Sequence, residues 1–167
     1  MKSPITLLVI IISFFECKSQ EINNKFDQGI DFKYSRIYYK DATVIESNIY
    51  DSSTGLYKYN ENNFGFGKDK NVSTIIKLKE KELRSIYQSY LSLNPKYLSE
   101  YIYKEGKLLY KSTIEFKTRQ DKMLNNNDCS DDKNDQERYA ELETLVYRLI
   151  VNSPAYKKCF YWEFIKK

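Results

Sequence analysis

Hydrophobic positions along this chain change their period several times, and each change marks an element. From residue 32 to residue 60, apolar and polar side chains alternate in three runs, 32–40, 43–50 and 55–60. A period of two predicts strands with one face buried. Asp51-Ser52-Ser53-Thr54-Gly55 separates two of these runs and reads as a turn. After a loop expected over 60–71, the run 72–79 reads as a further strand. The period then lengthens. Leu83, Ile86, Tyr87, Tyr90 and Leu91 fall on one helical stripe, predicting a helix over 80–93 that ends before Asn94-Pro95. Strands are expected again at 99–104 and 107–118, joined by a turn at Glu105-Gly106. Leu142, Leu145, Val146, Leu149 and Ile150 repeat the helical spacing, predicting a helix over 136–152 closed by Ser153-Pro154. A last strand is expected over 158–166.

The two helical segments resemble each other. Superposing Leu83 on Leu142 carries Pro95 onto Pro154, Tyr97 onto Tyr156, and Tyr101-Ile102-Tyr103 onto Phe160-Tyr161-Trp162. A strand–helix–strand unit used twice gives the order βαββαβ. The expected fold is therefore α+β: an antiparallel sheet in ferredoxin-like order with two helices on one face, preceded by an N-terminal β-hairpin or meander.

The first twenty residues follow a different pattern. Met1-Lys2 precedes an apolar run from Ile5 to Phe15, too short to cross a bilayer, which needs about 20 residues. This layout predicts an export signal over 1–19. Two processing routes remain open. Cys17 and Ser19 present small residues for ordinary signal cleavage, or Cys17 is the lipidated residue of an anchored lipoprotein. The rest divides into a flexible segment, 20–31, and one α+β domain, 32–167. The expected location is periplasmic or secreted, with membrane contact only through a lipid on Cys17.

Composition narrows the chemistry. Twenty-seven basic residues against 23 acidic ones give a net charge of +4 with the signs interspersed, which favours a solvated surface over a nucleic-acid-binding arm. Histidine is absent, so a Ser-His-Asp or Cys-His nucleophile and an imidazole zinc site are excluded. No cofactor or metal motif is found. Gly65-Phe66-Gly67-Lys68 lacks the spacing of a phosphate-cradling loop, and the Asp128, Ser130, Asp132 run lacks the glycine and terminal glutamate of a calcium loop. In an oxidising compartment, Cys129 and Cys159 are expected to form a disulfide.

What remains is surface recognition. Tyr57 with Tyr59, and Tyr101 with Tyr103, lie at alternating strand positions and would share a sheet face. Phe64 and Phe66 flank a glycine at a loop tip. Exposed, these rings would form an interface or a stacking platform for sugars. The leading expectation is a non-enzymatic binding domain for an envelope or extracellular protein, inhibitor or immunity roles included. A tyrosine-based carbohydrate-binding module is the alternative. A hydrolase built on carboxylates such as Glu115 and Glu163, on strands that could be neighbours, comes third.

Overall fold

The structure, a computed structural model, describes residues 31–63, 67–117, 123–124 and 129–160. The expected signal, Cys17, Phe64, Phe66 and Glu163 lie outside the described residues. Among them the elements are β1 (Asp31–Lys40), β2 (Thr43–Asp51), β3 (Leu56–Glu61), β4 (Lys70–Ile75), α1 (Glu80–Leu93), β5 (Ser99–Lys104), β6 (Lys107–Lys117), β7 (Met123–Leu124), α2 (Lys133–Val151) and α3 (Pro154–Cys159).

The fold is α+β. Six strands form an antiparallel sheet in the order β4-β3-β2-β1-β6-β5, and the short β7 pairs with the end of β6. The N-terminal meander extends the sheet. It does so by placing β1 against β6, with Tyr34 opposite Ile114 and Phe32 opposite Phe116. The ferredoxin-like order is not what this topology shows, because that order needs the strand before α1 beside β6. Here that strand is β4, and it forms the far edge. β1 fits beside β6 because its alternating apolar positions match those of β6 in register.

Local chemistry explains most boundaries. Asp41 and Ala42, both with positive φ, form the two-residue turn between β1 and β2, and Glu105 and Gly106 do the same between β5 and β6. Gly55 closes the β2–β3 turn at a φ of +71°. A Cβ there would meet the Ile76 carbonyl oxygen at 2.9 Å, which only glycine avoids. In α1 the Glu82 carboxylate accepts a hydrogen bond from the Lys79 backbone N–H at 2.6 Å, and Asn94 ends the helix in the left-handed region.

The expected final strand is replaced, as far as Cys159, by α3. Ser153 caps it by accepting from the Tyr156 N–H, and Pro154 occupies its first turn. Ser-Pro stops α2 as expected, but the same pair is also a helix start, since proline lacks only a donor that the first turn does not use. The expected strand thus begins as helix at Lys158 and Cys159. Residues 161–167 lie outside the described residues.

The helices cover one sheet face. Phe32, Tyr34, Tyr50, Tyr57, Tyr59, Ile114 and Phe116 from the strands meet Ile86, Tyr139, Leu142, Val146, Ile150, Tyr156 and Phe160. Tyr57 and Tyr59 contact α3 and the Phe160 cap that follows it, with ring centroids 5.5 Å (Tyr57–Tyr156) and 5.2 Å (Tyr59–Phe160) apart. Leu91, placed on the α1 stripe by its spacing, is 45 % exposed. Among the described residues, no helix is long and apolar enough to cross a membrane.

Candidate functional site

The covered face of the sheet changes character along β1. Phe32 and Tyr34 are buried among rings, but the next inward position is Arg36. Its guanidinium forms a forked ion pair with Glu143 of α2, Nη2 lying 2.7 Å from Oε2 and Nε 2.9 Å from Oε1. The Tyr34 hydroxyl donates to Glu143 at 2.6 Å. Arg36 also lies 3.8 Å over the Tyr147 ring. Burial, with the Glu143 carboxylate beside it, holds the Tyr34 phenol far above its ordinary range. Burial also raises Tyr110 and Tyr139. These phenols are neutral hydrogen-bonding groups at any physiological pH. The cluster is closed on itself: its charges are paired and its hydroxyls are engaged, so it positions α2 on the sheet rather than offering a reactive group.

A second polar site lies at the β5 edge. Ser99, Glu100, Tyr101, Ile102 and Tyr103, with Tyr97, form one wall of a 290 Å³ pocket; Cys129, Ser130, Asp135, Gln136 and Tyr139 form the other. Among the described residues β5 is an edge strand, paired with β6. Ile102 is 46 % and Tyr103 60 % exposed. Asp135, in the first turn of α2, is 4 % exposed. Its Oδ1 accepts from the Lys96 backbone N–H at 2.6 Å, while its Oδ2 is buried with no hydrogen-bond partner among the described residues. Burial and then the nearby Glu143 hold the Glu100 carboxyl above its usual range. The pocket is thus acidic, ringed by tyrosines and open at the sheet edge.

The tyrosines singled out from the sequence separate into two groups. Tyr101 and Tyr103 line this pocket. Tyr57 and Tyr59 share a face, as their spacing requires, but it is the helix-covered face, and they are 0 % and 7 % exposed. They are core residues and cannot form a platform. Glu115 sits on the opposite, helix-free face, in a 180 Å³ hollow with Asp31, Asp51, Lys33 and Lys117.

Cys129 and Cys159 are free thiols, so the expected disulfide is not formed. Cys129 lines the pocket at the β5 edge, whereas α3, which carries Cys159, packs on β4 at the other edge. At about 4.8 Å per strand the two edges lie roughly 24 Å apart, and a disulfide needs Cα atoms within about 7 Å.

Arg36, Glu143, Glu100 and Asp135 were not candidates from the sequence. A signal for the first two exists. Arg36 occupies the inward register of Phe32 and Tyr34, and Glu143 stands inside the Tyr139, Leu142, Val146 stripe. Opposite charges at two core positions are the mark of a buried pair. Nothing comparable marks Asp135, because an acid in the first helical turn is ordinary.

Among the described residues, no cluster of three or more Cys, Asp or Glu side chains is placed to hold a metal ion. Compared with known proteins, the chain matches no family model and no curated protein.

Proposed function

We propose that this chain is an exported, non-enzymatic binding domain that engages a protein partner along β5. The observation that carries the reading is the state of that strand. Among the described residues β5 pairs with β6 and ends the sheet, and Ile102 and Tyr103 stand exposed on it beside an open pocket. An edge strand of this kind accepts an added strand through its backbone, while neighbouring pockets select side chains. The other edge, β4, is different: α3 packs against it. Export rests on the N-terminal pattern of a charged start and a short apolar run. The buried Arg36–Glu143 cluster argues against enzymatic use of the interior, since each of its charges is already engaged.

A sugar-binding reading would now rest on Tyr101 and Tyr103 alone, with Tyr57 and Tyr59 in the core. Strand addition uses the backbone as well as the rings, and is favoured for that reason.

A photo-crosslinking side chain placed at Tyr103, and in a parallel protein at Asn71 on β4, tests the reading in cells that produce the protein. A discrete adduct is expected from position 103, little from position 71, and loss of the 103 adduct when Ile102→Lys charges the edge. Equal labelling from both positions, or an adduct indifferent to Ile102→Lys, would contradict it.

A further inference from the structure

The pocket beside β5 holds a buried acceptor that the fold leaves unused. Asp135 spends one oxygen on the Lys96 N–H, which donates to Oδ1 at 2.6 Å. The second oxygen, Oδ2, is removed from solvent and receives no hydrogen bond among the described residues. A buried carboxylate oxygen in that state is costly unless a donor reaches it. Glu100 supplies a second carboxylate to the same pocket, and the rings of Tyr97, Tyr101, Tyr103 and Tyr139 supply its walls. Ring faces attract cations, and two of this chain's own ammonium groups already illustrate it: Lys96 Nζ lies 5.1 Å from the Tyr97 ring centre and Lys111 Nζ 5.1 Å from that of Tyr101.

A group complementary to this surface must carry positive charge, lie flat against aromatic rings and present several N–H donors in different directions. An ammonium meets the first condition and only part of the third. A guanidinium meets all three, because its planar fork of donors can address two separate carboxylates while stacking on a ring. We infer that the pocket receives the guanidinium of an arginine side chain carried by the partner segment that docks along β5. This rests on the β5 reading above and narrows the partner to one with an arginine in the docked segment. The raised Glu100 carboxyl is consistent with it, since a group held above its usual range by burial and by Glu143 gains from an incoming cation.

The probe is N-acetyl-L-arginine amide, titrated into the ¹⁵N-labelled full chain, with the lysine analogue and the uncharged citrulline analogue as comparisons. The reporter is the Lys96 amide, hydrogen-bonded to Asp135 itself. A saturable shift of that amide is expected with the arginine probe, a weaker one with lysine and none with citrulline. Asp135→Asn, which retains an oxygen for Lys96, should weaken arginine binding at least about tenfold. Should Asp135→Asn lose its dispersed spectrum, Glu100→Gln, which leaves the Lys96 contact untouched, carries the test with a smaller loss expected. An unmoved Lys96 amide, or equal responses to arginine and citrulline, overturns the inference. The crosslink from position 103 keeps the two readings apart. A crosslink without arginine binding refutes the pocket assignment alone, and arginine binding without a crosslink refutes docking along β5.

Discussion

Removing the Glu143 carboxylate gives the sharpest test of how the helices are held. Glu143→Ala leaves the Arg36 guanidinium, whose side chain is 16 % exposed, without its ion-pair partner. It also leaves the Tyr34 hydroxyl with no acceptor. Breaking a buried ion pair from one side costs about 3–5 kcal/mol, and stranding a buried hydroxyl costs about 1–3 kcal/mol. The two losses share one carboxylate and do not add in full. Arg36 also keeps its stacking on Tyr147, which softens the first. A net cost of about 3–4 kcal/mol follows, a large part of the roughly 5–15 kcal/mol that holds a domain together. Urea denaturation followed by circular dichroism reads it as a lower midpoint with an unchanged slope. Replacing the whole group with Tyr34→Phe, Arg36→Met and Glu143→Leu together should cost much less than Glu143→Ala alone, because nothing polar is left stranded. If Glu143→Ala costs under about 1 kcal/mol, or if Arg36→Met and Glu143→Ala add without coupling, the pair is not a buried unit and the reasoning fails.

Gly55→Ala should destabilise by about 2 kcal/mol, combining a left-handed φ with a Cβ 2.9 Å from the Ile76 carbonyl, and thermal melts would detect it. Glu100, whose carboxyl is raised in the folded state above the ordinary 4.5, binds protons more tightly folded than unfolded. Its contribution therefore favours the folded state at low pH and falls as pH rises from about 4.5 through the raised value. Glu100→Gln should remove that component, so the gap in melting temperature between variant and parent should widen in the variant's favour with rising pH. The thiols offer a third check. Cys129, exposed, should alkylate in the folded protein well before the half-buried Cys159, and peptide mapping of unreduced protein should show no bridge between them.

Much of the fold was readable because its elements are locally consistent. α1 spans the range that its stripe and its Asn94-Pro95 stop define, and the β5–β6 hairpin follows from Glu105-Gly106. Alternation in β1 and β2 predicted strands correctly. What alternation cannot say is which strands become neighbours. β1 and β4 are both half-apolar strands, and only the matched register of Phe32 and Tyr34 with Phe116 and Ile114 decides that β1 takes the place beside β6. For the same reason Tyr57 and Tyr59 could be assigned to one face but not to its covered side. The helix at Lys158 and Cys159, where a strand was expected to begin, has a different source. Ser153-Pro154 is both a stop and a start, and local sequence does not separate the two. At the candidate site, Tyr101 and Tyr103 were legible as paired rings on a strand. Asp135 and Glu100 were not, because their significance arises from a pocket assembled between segments distant in the chain.

Amide hydrogen exchange over Ser99–Lys104, with the protein captured from position 103 added in purified form, addresses the proposed role of β5 most directly. Protection should rise in this strand on binding and stay unchanged along β4, and Ile102→Lys should abolish the rise. Protection confined to β4 or to the helix-free face, with β5 exchanging as fast bound as free, would contradict the account.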